Sequence, residues 1–275
     1  EAVRMASLNA AECYGLADRG AIAPGLRADI VLADNLTDYH VQKVWIAGEL
    51  VAKDGEYLFP VERTDMTAVT GKFHVKDFSE EKLKLHLKSS EVKVIDILPG
   101  GVVTGKGEAE VKLDQDGDFV YDPDQDIVKV AVVERHHATG NVGVALLRGY
   151  GIQKGAVAIS IAHDSHNIIA VGTNDKDIAF AVEQLISQGG GIVLANEQKV
   201  VDSMPFVVGG IMTDQTGEWV NEHLTRVHEN ARKCLGISGE VEPIMTLCFM
   251  SLPVIPALKL TDMGLFDVTT FAFTS

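Results

Sequence analysis

Gly155-Ala156-Val157-Ala158-Ile159-Ser160-Ile161-Ala162 is a run of small apolar residues broken only by one serine. Such a run, too short for a helix with an apolar stripe, reads as a strand buried on both faces. Its neighbours repeat the theme. Ile127 to Val133 and Val92 to Ile97 read as strands before it, and Ile168 to Val171 and Ile192 to Ala195 after it. Glu108 to Leu113 is a further strand, entered by a turn at Gly105-Lys106-Gly107, and Asp114 to Asp118 is a turn. Asp175 to Ser187 is a helix: Asn174 or Asp175 can cap it, apolar residues recur at Ile178, Ala181, Val182, Leu185 and Ile186, and Gly189-Gly190-Gly191 ends it. Glu218 to Leu235 reads as a longer helix. Strands and helices mix without clean alternation, so the class is α/β (α+β), with strand order open.

Upstream the character changes. Residues 1–18 read as the end of a helix, with Ala2, Met5, Ala6, Leu8, Ala10 and Ala11 as helix formers. Residues 19–62 hold a turn at Ala23-Pro24-Gly25, a strand at Ala28–Ala33, a strand at Val41–Ile46 and its hairpin partner Leu50–Ala52. Three short strands are marginal alone, so exposed apolar surface is expected in this segment. The domain boundary falls near residue 62, and residues 63–275 form the second unit. Within it Ser79 is an expected N-cap for a short helix.

Composition excludes several functions. The 275 residues carry 24 Lys and Arg against 39 Asp and Glu, a net charge of −15. No basic run offsets that balance, which argues against nucleic-acid binding. The longest apolar stretch, Ile244 to Leu260, contains Pro253 and Pro256 and is read as a buried strand plus loop, not a membrane span. Cys13, Cys234 and Cys248 are too few and scattered for a disulfide framework, which suits a reducing, cytoplasmic setting. The chain opens Glu1-Ala2-Val3-Arg4-Met5 without a signal-type apolar core or an initiator Met, and is expected to be truncated.

Most familiar motifs fail. Gly100 to Lys106 fits the start of a phosphate loop, but Gly107 stands where Ser or Thr should, so a glycine-rich hairpin is the reading. Gly149, Gly151 and Gly155 have the wrong spacing for a dinucleotide fingerprint. His223 and His228 lie five apart, on different faces of a helix. Two polar clusters remain, each at the end of a strong strand. One is Glu134-Arg135-His136-His137, the other His163-Asp164-Ser165-His166-Asn167. Imidazoles there could relay a proton, and Asp164 could orient one. The two loops could face one cleft. The plain alternative is that they are polar turns. Asn174 could hold a polar ligand edge at the helix start, or simply cap it.

Two sets of residues resemble a known family. Leu8-Asn9-Ala10-Ala11-Glu12, Gly20 to Leu32 and Val44 to Val51 resemble the stretch where amidohydrolases leave the barrel and return to a small β-sandwich. Glu134 to Asn141, Ser160 to Asn167, Val171 to Asp175 and Gly189-Gly190-Gly191 resemble the C-terminal domain of bacterial and archaeal adenine deaminases. The resemblance implies a remnant of an amidohydrolase β-sandwich followed by a mixed α/β adenine deaminase C-terminal domain. It implies hydrolysis of adenine to hypoxanthine and ammonia, with Mn²⁺ or Fe²⁺ held in a separate (β/α)₈ barrel, and a homo-oligomer. No metal ligand of that barrel is carried onto this sequence, so this chain alone is expected to bind no metal and to be inactive. No catalytic residue is carried over either; the weak candidates are His163, Asp164 and His166. Glu134, Arg135, His136, Asn167 and Asn174 are the binding candidates. The competing readings are a non-catalytic assembly or ligand-binding module, or an amidohydrolase acting on another cyclic amidine.

Overall fold

In the computed structural model, which describes residues 1–274, the run quoted above becomes a central strand of an eight-stranded sheet. The chain divides into two units, Glu1–Asp65 and Met66–Ser275, against the boundary expected near residue 62.

The first unit begins with a helical stretch, Ala2–Arg4, a π-type turn Met5–Asn9 and Ala10–Cys13. Four antiparallel strands follow in sequence order: β1 (Ile30–Ala33), β2 (Val41–Ile46), β3 (Glu49–Lys53) and β4 (Glu56–Tyr57). The last was not foreseen. Ala11 alone is buried among residues 1–65, while Ile22, Val31, Leu32, Leu36 and Ile46 are exposed. This sheet has no interior of its own.

The second unit is built on β5 (Glu91–Ile97), β6 (Thr104–Glu110), β9 (Ile127–Val133), β10 (Val142–Arg148), β11 (Ala156–Ile159), β12 (Ile168–Gly172), β13 (Gly191–Asn196) and β14 (Lys199–Pro205). A small ribbon, β7 (Lys112–Leu113) with β8 (Phe119–Val120), lies outside that sheet. The order is β14-β13-β11-β12-β9-β10-β5-β6, antiparallel except for the β10–β5 pair. Both faces are covered, which explains the continuous apolar runs. Val128, Val130, Val132, Val157, Ile159, Ile169 and Val171 join one core; Ala131, Val133, Ala156, Ala158, Ile168 and Ala170 join the other. Helix α1 (Asp175–Ser187) packs on the second face through Ile178, Ala181, Val182 and Leu185. Helices α2 (Gly217–Leu235) and α3 (Pro243–Cys248) supply Val227, Ala231, Leu235, Ile244 and Leu247 to the first. A final meander, β15 (Leu258–Thr261), β16 (Gly264–Asp267) and β17 (Ala272–Phe273), closes the chain.

Several expectations change. Gly105-Lys106-Gly107 lies inside β6, not in a turn; the turn is the 98–103 connection of the β5–β6 hairpin. Gly107 is required there, because an added Cβ would meet Val94, Asp96 and Arg148 within 2.6 Å. Ser79 precedes a 3₁₀ turn, Glu80–Leu83, but its side chain caps nothing. The apolar stretch from Ile244 starts as helix α3, since Pro243 at the first turn and the Glu242 side chain on the Met245 N–H favour a helix start. β10, β14 and the closing meander were not foreseen. Among the described residues no helix is long and apolar enough to cross a membrane.

Candidate functional site

Strand register decides which candidates meet. Ile168 of β12 faces Val133 of β9, and Gly172 faces Lys129. The 134–141 and 163–167 loops therefore leave the sheet at the same end. Asn174 follows the other end of β12, roughly 15 Å away along the strand. There its Oδ1 accepts the Asp177 N–H at 2.9 Å and its Nδ2 donates to Asp177 Oδ2 at 2.9 Å. It is a helix cap and does not join the other candidates.

Glu134 and Arg135 are buried and organise the two loops. The Glu134 carboxylate accepts the N–H groups of His136, His137 and Thr139 and the Thr139 hydroxyl. Burial alone would raise its pKa, but those four donors outweigh it and hold the carboxyl at about 2. Glu134 is thus an acceptor for its own loop. Arg135 reaches the other way. Its Nε donates to the His166 carbonyl, its Nη2 to the Gly209 carbonyl at 3.0 Å, and its guanidinium lies 4.4 Å over the Phe73 ring. Burial brings its pKa down to about 10. Gly210 has φ +75, and a Cβ there would strike Phe73 at 2.6 Å. Ser160 completes the floor: its hydroxyl donates to the Gly210 carbonyl and accepts the Gly191 N–H at 2.7 Å. The Gly189–Gly191 turn thereby reaches the same end of the sheet.

The histidines sit on this frame. His136 Nε2 lies 2.8 Å from the Ser165 carbonyl, so Nε2 carries the hydrogen and Nδ1 is the free nitrogen of the neutral ring. His163 stacks on Phe249, centroids 4.8 Å apart, and its Nδ1 lies 2.9 Å from Asp164 Oδ1. That pairing leaves Nε2 of a neutral His163 as a proton acceptor. His166 is half-buried. Burial first, then the positive field of Arg135, hold its pKa below the ordinary value, so the ring stays neutral near pH 7. His166 Nδ1 and Asn167 Oδ1 are buried with no hydrogen-bond partner among the described residues. Asp164 (φ +65), His166 (φ +50) and Ala138 (φ +53) hold left-handed backbone, on the order of 1–3 kcal/mol each. Orphaned polar atoms and strained non-glycine backbone cluster where polar ligands are handled.

The donor set does not fit a metal ion. Among the described residues no three His, Cys, Asp or Glu side chains converge. His223 and His228 go separate ways, the first stacked on Trp219, the second 2.6 Å from Glu242. Sequence reading missed Phe73, Ser160 as a hinge between loops, the Gly209-Gly210 pair and Phe249. Only the glycine pair left a visible signal.

Comparison with known proteins finds two family matches along the chain. Residues 101–272 match the family model of the adenine deaminase C-terminal domain, and residues 1–51 match the amidohydrolase family. Adenine deaminase 2 of Desulfotalea psychrophila is 60% identical over 274 residues, covering 100% of this chain and 48% of that protein. Adenine deaminase of Ligilactobacillus salivarius is 50% identical, covering 100% and 47%. That of Clostridium acetobutylicum is 38% identical, covering 99% and 48%. The chain spans about half the length of the curated relatives it matches.

Proposed function

The chain belongs to the adenine deaminase C-terminal domain family, and from that premise we propose that it works as the C-terminal portion of an enzyme converting adenine and water to hypoxanthine and ammonia. In that reaction an oxygen–carbon bond forms at C6 of the purine. The C6–N bond breaks, and the departing amine gains a proton. In this reading Mn²⁺ or Fe²⁺ belongs to the half of the relatives that this chain does not span; among the described residues no group of three His, Cys, Asp or Glu side chains would hold one. The chain's own contribution is the loop pair at the Glu134–Asn167 end of the sheet. It brings together the His136, His163 and His166 rings around the buried, unpartnered His166 Nδ1 and Asn167 Oδ1, which a polar ligand would meet on entering the loop pair. Those two adjacent orphaned atoms are the observation that carries the role.

A second reading has its own support. The exposed apolar residues of Glu1–Asp65 call for a covering partner. We propose that the barrel half of the longer protein covers them, and that copies assemble as a homo-oligomer in the cytoplasm. The alternative is then that the histidine loops serve assembly alone.

Alanine at His163 and His166 in the complete enzyme separates the two. Hypoxanthine formation and oligomer size are read together. A large fall in turnover at unchanged size supports a purine-handling role. Lost assembly with normal specific activity in what remains supports the assembly role. Adenine turnover by residues 1–275 alone with added Mn²⁺ would overturn the placement of the metal.

A further inference from the structure

A hollow of about 400 Å³ opens between the 97–102 turn and the 238–249 segment. That is the size of a small-ligand site. Ile97, Leu98, Pro99, Met245 and Phe249 give it apolar walls, and Leu98 and Met245 stay exposed although large and apolar. Three acidic residues, Asp126, Glu240 and Glu242, line the same hollow, and no Lys or Arg does. Asp126 Oδ1 accepts the Gly151 N–H at 2.8 Å, and Glu240 is bonded through its own N–H to Ser238 Oγ at 3.2 Å. Neither carboxylate has an ion-pair partner among the described residues. Glu242 differs: its carboxylate takes the Met245 N–H and stands 2.6 Å from His228. The charge of the hollow therefore rests on Asp126 and Glu240.

The cations of this region are committed elsewhere. Arg232 donates to the carbonyls of Ser238 at 2.8 Å and Val241 at 3.3 Å, and Lys259 to that of Val102 at 2.9 Å. Neither lines the hollow, and neither acts on Asp126. Burial raises the Asp126 carboxyl above its ordinary range, and only the Gly151 N–H opposes it. An anion is repelled by such a wall. A bare metal ion lacks donors, since no three metal-ligating side chains converge among the described residues. What suits apolar walls with unneutralised negative charge is a cation whose charge is wrapped in alkyl groups. It needs the field of the two carboxylates and no aimed hydrogen bond, and an aromatic wall favours it further.

We propose that this hollow binds a small alkylated ammonium ion, held by the charge of Asp126 and Glu240 against the apolar walls of the 97–102 turn and Met245. The hollow's chemistry stands apart from the proposed function. A neutral molecule of the same outline fits the walls equally well, so charge is what selects the ligand. The whole chain carries a net charge of −15 and attracts cations diffusely. A site differs from that background in three ways: it saturates, it discriminates against the neutral isostere, and it depends on two particular carboxylates.

Residues 1–275 labelled with ¹³C at the methionine methyl groups provide the test, with the Met245 signal identified by its loss in Met245→Leu. The probes are choline and its uncharged isostere 3,3-dimethylbutan-1-ol, at a constant ionic strength of about 0.15 M. Choline shifts the Met245 methyl and saturates below about 10 mM, as expected for so few ligand atoms. The alcohol binds at least about fivefold more weakly. Asp126→Asn keeps an oxygen for the Gly151 N–H and tolerates the left-handed backbone at φ +47. Glu240→Gln changes an exposed residue. Each weakens choline by about threefold or more and leaves the alcohol unaffected. Glu49→Gln removes the same charge from an exposed position in the first unit and changes nothing. Far-ultraviolet dichroism checks folding, and Glu240→Gln decides alone if Asp126→Asn misfolds. No saturation by about 10 mM, an alcohol that binds within fivefold of choline, or variants that weaken choline no more than Glu49→Gln does, each overturns the proposal.

Discussion

Arg135 Nε donates to the carbonyl oxygen of His166, and that bond crosses from the end of β9 to the loop before β12. It joins two loops that are remote in sequence but share one end of the sheet through the Ile168–Val133 pairing. Because Arg135 also holds the Gly209 carbonyl and lies over Phe73, four segments depend on one guanidinium.

Arg135→Met should therefore lower stability by about 1–3 kcal/mol, the cost of leaving two half-buried carbonyls without their donor. Trp45 and Trp219 lie in different units, so a Trp45→Phe background lets Trp219 report the second unit alone. Its urea-unfolding midpoint should fall. Arg135→Lys should recover less than half, because an ammonium lacks the planar fork. An unchanged midpoint in Arg135→Met would show that the guanidinium is not the tie.

Glu134 gives a pH signature. Its folded pKa is about 2 against an ordinary 4.5, so the group binds fewer protons when folded. Its contribution is present above pH 4.5 and is lost as pH falls from there through about 2. Glu134→Gln should flatten the stability-versus-pH curve in that window. A carboxyl carbon resonance of Glu134 that titrates near pH 4.5 in the folded protein would refute the assignment.

Asn174 caps helix α1, its Oδ1 accepting the Asp177 N–H. Asn174→Ala should cost about 1 kcal/mol, the usual penalty for a lost N-cap. Adenine turnover by the complete enzyme should remain unchanged. A fall in turnover larger than the loss of folded protein would restore Asn174 as a ligand-facing residue.

Legibility followed the range of the interactions. The Ile127–Val133 strand was readable because both faces are buried, and α1 because Asn174 caps it three residues away from Asp177. β10 was not, since Gly143 looks like a break. Its glycine is demanded by the Thr261 carbonyl, which an added Cβ would overlap from more than a hundred residues away in sequence. Lys129 carried an unused signal. A lone charge inside an apolar strand implies buried partners, here Asp118 and Asp175, each with an oxygen 2.8 Å away. The histidine loops were visible as polar clusters at strand ends. Of the residues that fix them, the Gly209-Gly210 pair alone stands out in the sequence, while Phe73 and Ser160 are ordinary there and acquire meaning only once folding gathers them.

Lys259 repeats the Lys129 signal with the opposite outcome. It interrupts the apolar run Leu258-Lys259-Leu260, is wholly buried, and its ammonium has one bond among the described residues, to the Val102 carbonyl at 2.9 Å. No carboxylate among the described residues pairs with it, and burial alone pulls its pKa from 10.5 to about 8. A lysine whose folded pKa lies below its unfolded value binds fewer protons when folded between the two. Its penalty is therefore full below pH 8 and relieved as pH rises from about 8 to 10.5. Lys259→Met keeps the length of the side chain and removes the charge, at the cost of one unbonded carbonyl. The variant should gain on the order of 1–3 kcal/mol at pH 7 and lose the rise in stability between pH 8 and 10.5. Urea unfolding of both proteins at pH 7, 8.5 and 10 measures this directly. Equal stability at pH 7 together with a retained alkaline slope would mean that another group carries the titration.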